Sequence, residues 1–129
     1  MRYTHTPAYI LDTDVLIWQL RNRAETKALI KKLMDDGPLA CSALTVSELL
    51  QNVRDHEMDW VAGLLDSLII LPVDFTTAKL AASLIRQRGP GYVDCHIAAT
   101  SILLGVPLVT YNRKDYIRTG AVLFDTSEW

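Results

Sequence analysis

The chain has 129 residues, half of them hydrophobic, a formal net charge of −2 and a pI near 5.8. That length suits one domain, residues 1–129, without room for a second, and the apolar content excludes disorder. The mildly acidic balance excludes a protein that coats nucleic acid by charge alone, although bound divalent cations would reverse its sign.

The opening residues, Met1 to Pro7, hold no apolar leader, and no stretch approaches the ~20 residues of a membrane span. The expectation is a soluble, cytoplasmic protein. Ala8-Tyr9-Ile10-Leu11 then predicts a short buried strand, stopped by Asp12-Thr13-Asp14, a turn able to cap a helix over residues 15–21. A second helix is expected over residues 24–34, with Ala28, Leu29 and Leu33 on one stripe, and Asp35-Asp36-Gly37-Pro38 ends it.

Leu39-Ala40-Cys41-Ser42 predicts the second strand, followed by a helix over residues 43–53 with Leu44, Leu49 and Leu50 inward. Another amphipathic helix covers residues 57–68, and Ile69 to Val73 forms the third strand, its proline near the end where a missing N–H matters least. Asp74 caps a helix running to about Gln87, and Gly89-Pro90-Gly91 breaks the chain. A helix from Asp94 to Leu104 stops at Gly105. The fourth strand follows at residues 106–110, then a polar loop over 111–119 and a fifth strand at 121–124. Alternation of helices with short, continuously apolar strands predicts a three-layer α/β/α sandwich around a mostly parallel sheet of about five strands. Cys41 and Cys95 lie among apolar neighbours without metal-ligand spacing, which predicts reduced thiols and no zinc site.

Ligands of an open α/β sheet bind beyond the carboxyl ends of its strands. Four acids fall at that rim: Asp12 after the first strand, Glu48 in the helix after the second, Asp94 in the first turn of the helix feeding the fourth, and Asp115 past that strand's end. Each alone has an ordinary explanation. Asp12 and Asp94 are natural helix caps, Glu48 a solvated helix position, and Asp115 a loop acid. Together they form a carboxylate cluster, which like-charge repulsion makes unstable without cations. All-oxygen ligands suit Mg²⁺ or Mn²⁺, and a pair of such ions is a known means of cutting phosphodiesters.

Tyr9-Ile10-Leu11-Asp12-Thr13-Asp14-Val15-Leu16-Ile17 resembles the opening motif of PIN-domain ribonucleases, especially the VapC-type toxins of toxin–antitoxin pairs. Thr45-Val46-Ser47-Glu48-Leu49-Leu50, Asp94-Cys95-His96-Ile97-Ala98-Ala99-Thr100 and Leu108-Val109-Thr110-Tyr111-Asn112-Arg113-Lys114-Asp115-Tyr116 resemble the second, third and fourth motifs, in family order. The resemblance spans nearly the whole chain. It implies a PIN-like fold and Mg²⁺- or Mn²⁺-dependent endoribonuclease activity, with one to two ions held by Asp12, Glu48, Asp94 and Asp115. Water would attack phosphorus, leaving 5′-phosphate and 3′-hydroxyl ends.

Thr110 and Asn112 become polar support, the Thr13 hydroxyl an orienting group for Asp12, and Asp14 a capping or supporting acid. Implied partners are RNA, a small antitoxin lying in an apolar groove and placing a basic residue in the acidic site, and a second copy of the chain as a homodimer. Trp18, Trp60 and Leu64 are candidates for that apolar surface. Arg86 and Arg88, in the basic loop before Asp94, lead the candidates for RNA phosphates, ahead of Arg21, Arg23, Arg113 and Lys114.

Two other readings use the same residues. Asp12-Thr13-Asp14-Val15 also resembles the first motif of haloacid-dehalogenase-type phosphatases, with Leu108-Val109-Thr110 like their second. Those enzymes need a lysine and a further acidic pair downstream, and little chain remains after Thr110. A PIN-like domain that binds RNA or protein without cutting is the other alternative; its signature, a missing acid, is absent.

Overall fold

In the computed structural model of the chain, which describes residues 6–129, short apolar runs form strands and longer amphipathic ones form helices. Residues 1–5, read above as part of an N-terminus without a leader, lie outside the described residues. The elements are β1 (Tyr9–Leu11), α1 (Thr13–Leu20), α2 (Ala24–Met34), β2 (Leu39–Ser42), α3 (Ala43–Gln51), a 3₁₀ turn (Asp55–Glu57), α4 (Met58–Asp66), β3 (Ile69–Leu71), α5 (Phe75–Arg86), α6 (Tyr92–Leu104), β4 (Leu108–Val109) and α7 (Arg113–Tyr116). The sheet is parallel throughout, in the order β3-β2-β1-β4.

Strand side chains alternate between the faces, and the core divides accordingly. Ile10, Ala40 and Leu108 join Ala81, Leu84, Ile97 and Ala98 of α5 and α6 on one side. Leu11, Leu39, Cys41 and Val109 join Val15, Leu29, Leu33, Leu49 and Val61, from α1 to α4, on the other. This is the expected three-layer sandwich. Both cysteines are free and fully buried, and no helix among the described residues is long and apolar enough to cross a membrane.

Four details differ from the sequence reading. The expected fifth strand reduces to one parallel bridge, Leu123 to Leu108, closed by Leu108 N–H donating to Val122 O and Phe124 N–H to Leu108 O. Pro107 has no amide with which to lengthen that ladder. The loop after β4 contains a single helical turn, α7. Helix α6 begins two residues earlier than expected, on Gly91 as N-cap, so Asp94 is its third residue and not its cap. Finally, Leu50 and Ala28 face solvent while Thr26 and Ile30 take places on the buried side. The helix end at Gly105 is as expected, with φ of +67° in the left-handed region that favours glycine.

Candidate active site

From β1 the chain winds outward through β2 to β3, then returns across the sheet to β4 on the other side of β1. The winding therefore reverses between β1 and β4, and connections leaving in opposite directions open a crevice there. Asp12 and Thr110 are the first residues beyond these two strands. Asp12 N–H donates to Val109 O at 2.9 Å, extending the strand pairing by one bond. The Asp12 carboxylate receives the Thr13 N–H at 2.8 Å on Oδ1 and the Thr110 hydroxyl at 2.8 Å on Oδ2. Thr110 is itself held, since its hydroxyl accepts from Asn112 N–H at 3.0 Å and its carbonyl from the Thr126 hydroxyl at 3.0 Å.

The other acids arrive on different elements. Asp14, in the first turn of α1, accepts the Tyr111 N–H on Oδ2 at 3.1 Å. Its other oxygen, Oδ1, is buried without a partner among the described residues. Glu48, on α3, accepts the Thr13 hydroxyl at 2.6 Å, and that hydroxyl also lies 3.0 Å from the Thr45 hydroxyl. Thr13 thus orients Asp12 through its backbone and Glu48 through its side chain, whereas the sequence reading gave its hydroxyl to Asp12. Asp115, on α7, is held by the Asn112 side-chain amide.

Asp94 enters in the first turn of α6, where aligned amides favour a carboxylate. The loop before it leaves no choice at Gly89. A Cβ there would stand 2.8 Å from Leu84 O and 3.1 Å from Cys95 Sγ, so glycine lets the chain pass close under α5 before α6 begins.

These carboxyls sense one another. Burial first, and then the charge of Asp14, push the Asp12 pKa up to about 7, against the stabilising bonds from Thr110 and Thr13, and Asp94 adds to the rise. Burial raises Asp14, with Asp94 contributing. Burial also raises Asp94; the nearby Tyr116 hydroxyl opposes this, while Glu48 and Asp115 reinforce it. Asp94 thus lies within reach of the charges of Asp12, Asp14, Glu48 and Asp115.

Among the described residues, no three acids close on a common point tightly enough to ligate one ion; Asp12, Glu48 and Asp115 each accept from a hydroxyl or amide donor. The donor set nonetheless fits a hard divalent cation: every candidate ligand is a carboxylate oxygen, their charges repel without one, and Asp14 Oδ1 stands buried without a donor.

Tyr116 is a participant that the sequence reading passed over, quoting it only as the end of a motif. It is fully buried at the end of α7. Burial, followed by the nearby Asp12 and Asp94 charges, drives its phenol pKa upward. Its position directly after Asp115, together with the rule that a buried tyrosine needs a polar partner, was the available signal.

The basic candidates separate. Arg86 and Arg88 are exposed in the approach to α6, Arg88 with φ of +62°. Arg113 faces Asp125 at 3.6 Å, and Lys114 is exposed. Arg23 is engaged elsewhere, bonding Thr26, the Tyr111 hydroxyl and the Trp129 carbonyl and lying 4.9 Å over the Tyr111 ring. Arg21 borders an apolar groove of about 220 Å³ lined by Ile17, Leu20, Leu49, Val53 and Trp60 and reaching Glu48. Trp60, 61% exposed, continues the groove toward Leu64, and Trp18 is 41% exposed.

The PIN domain family model matches residues 9–121. Ribonuclease VapC10 of Mycobacterium tuberculosis is 32% identical over 108 residues, spanning 80% of this chain and 81% of that protein. Ribonuclease VapC19 of the same organism is 28% identical over 113 residues, 83% of this chain and 90% of that one. In three dimensions the chain resembles one in a toxin–antitoxin complex from Klebsiella pneumoniae, with a TM-score of 0.78 at 24% identity over 90% of this chain and 96% of that one. A chain of DNA-bound VapBC from Salmonella typhimurium gives a TM-score of 0.77 at 22% identity, over 92% and 97%. With acids at the β1/β4 reversal and a family match over almost all of its length, the chain belongs to the PIN domain family.

Proposed function

We propose that the chain is an endoribonuclease, the toxin half of a VapBC-type pair, and that it hydrolyses RNA with Mg²⁺ or Mn²⁺ held by Asp12, Glu48, Asp94 and Asp115. The observation that carries this reading is Asp12 at the sheet's reversal point, with Asp94 within reach of its charge and of those of Glu48 and Asp115. The names of the relatives, ribonucleases and toxin–antitoxin complexes, support it. A bound divalent cation polarises the phosphodiester and acidifies a water molecule.

The chain's own groups prepare the site for that chemistry. Thr110 and Thr13 N–H donate to the Asp12 carboxylate and partly offset the effect of its burial. The Thr13 hydroxyl fixes Glu48, and the Asn112 amide fixes Asp115. Asp14 adds negative charge beside Asp12 and receives the turn after β4. Arg86 and Arg88 take up RNA phosphates near Asp94. The groove from Trp60 to Glu48 takes the antitoxin, which brings a basic side chain to the acids, and the toxin pairs as a homodimer.

The test is purified protein, free of antitoxin, incubated with total RNA and Mg²⁺ or Mn²⁺, with EDTA and Asp94→Asn controls and the ends mapped by sequencing. Discrete cuts that need both the metal and Asp94 are expected, with 5′-phosphate ends. Cleavage that persists in EDTA or in the variant, or none from folded protein, would overturn the assignment.

A further inference from the structure

Only three buried side-chain polar atoms among the described residues lack a hydrogen-bond partner, and two belong to this site: Asp14 Oδ1 and the Tyr116 hydroxyl. The tyrosine is the more informative. Its ring is wholly buried and packs with Ile10, Ala98 and Leu108 in the core beneath α5 and α6. Phenylalanine would satisfy that packing without leaving a buried hydroxyl unpaired, which is costly. The hydroxyl sits beside the Asp12 and Asp94 carboxyls without closing a well-formed bond to either.

The two acids are not equivalent acceptors. Both Asp12 oxygens already have donors, Thr13 N–H and the Thr110 hydroxyl. Among the described residues, Tyr116 is the donor available to the Asp94 side chain. A phenol has one proton to give. Every other acid of the proposed metal set, Asp12, Glu48 and Asp115, has a fixing donor at bonding distance, and Asp94 alone has one only nearby.

We infer that Tyr116 is a positioning residue for Asp94: its hydroxyl donates to one carboxylate oxygen when the acids gather around a cation, leaving the other oxygen for the ion. This rests on the metal-dependent reading above. The buried, unpaired hydroxyl is then a donor available to a carboxylate that holds an ion, where such hydrogen bonds are strong.

The experiment compares the wild-type chain with Tyr116→Phe, both made metal-free. Mn²⁺ binding is measured by electron paramagnetic resonance of the free ion, thermal unfolding is followed in EDTA, and RNA cleavage is titrated with Mn²⁺. Expected are unchanged or higher metal-free stability in the variant, Mn²⁺ binding weakened roughly 10- to 100-fold, and cleavage that recovers as Mn²⁺ is raised. Equal Mn²⁺ binding by the two proteins would overturn the role of Tyr116 and leave the nuclease standing. Loss of the metal-free fold in the variant would also overturn it, by making the hydroxyl structural. Failure of the wild-type chain to bind Mn²⁺ would remove the metal-dependent reading, and this inference with it.

Discussion

Asp12 is a buried carboxyl with Thr13 and Thr110 as donors and with Asp14 and Asp94 close by. Asp12→Asn keeps its shape and one acceptor oxygen, and the Thr110 hydroxyl can turn to accept from the new amide. What disappears is the cost of ionising a buried acid among other acids. The pKa rises from 3.8 to about 7, and at about 1.4 kcal/mol per unit this sets a ceiling of roughly 4 kcal/mol. Water entry and relaxation of Asp14 and Asp94 reduce it, so the expected stabilisation at pH 8 is about 1–3 kcal/mol, or a melting temperature higher by roughly 4–12 °C for a domain of this size.

Because the folded pKa lies above the unfolded one, the native state holds the proton more tightly. Wild-type stability therefore falls as pH rises from about 4 to about 7, and the full loss is present above that window. The variant lacks this group, so its advantage grows over the same interval. Urea or thermal unfolding in EDTA at pH 4.5, 6 and 8 measures it. Equal stabilities at pH 8, or an advantage independent of pH, would refute the reasoning.

Thr13→Val removes the hydroxyl that holds Glu48; RNA cleavage should fall roughly 10- to 100-fold for a stability loss of about 1 kcal/mol, with Thr13→Ser retaining most activity in single-turnover assays. Gly89→Ala sets a Cβ against Leu84 O and Cys95 Sγ; the expected cost is about 1–3 kcal/mol in urea unfolding, with cleavage reduced further because the start of α6 carries Asp94. Charge reversal at Arg86 and Arg88 should weaken RNA binding and flatten its salt dependence by about one phosphate contact per residue, while Mn²⁺ binding stays unchanged. Filter binding across a salt series checks this, and unaltered affinity would remove the loop from the RNA path.

The fold was readable because the strands are short apolar runs between strong stops, as at Asp12-Thr13-Asp14 and Gly89-Pro90-Gly91. The four proposed acids read as lying on one rim because each follows a strand end or lies in the first two turns of a helix. The errors have identifiable causes, some local and some from distant parts of the chain. Asp94 looked like a cap because aspartate favours that position, yet Gly91 starts the helix and lets Tyr92 and Val93 form its first turn. Thr13 has two donors, and sequence cannot say that the hydroxyl reaches Glu48, 35 residues on. Arg23 read as a free cation, but its partners Tyr111 and Trp129 come from the far end of the chain. Tyr116 was passed over because nothing in the sequence shows that a buried ring carries its hydroxyl to the acids.

The bond from Thr110 to Asp12 joins residues 98 apart in sequence. Closing so long a loop costs entropy that must be offset by the rest of the sheet and its helices. The acids therefore gather only after nearly the whole chain has ordered, and partly folded forms carry them dispersed. A destabilising change far from the site, in α2 or α5 for example, would lower the number of competent molecules while leaving each survivor fully competent. Dose would then follow global stability.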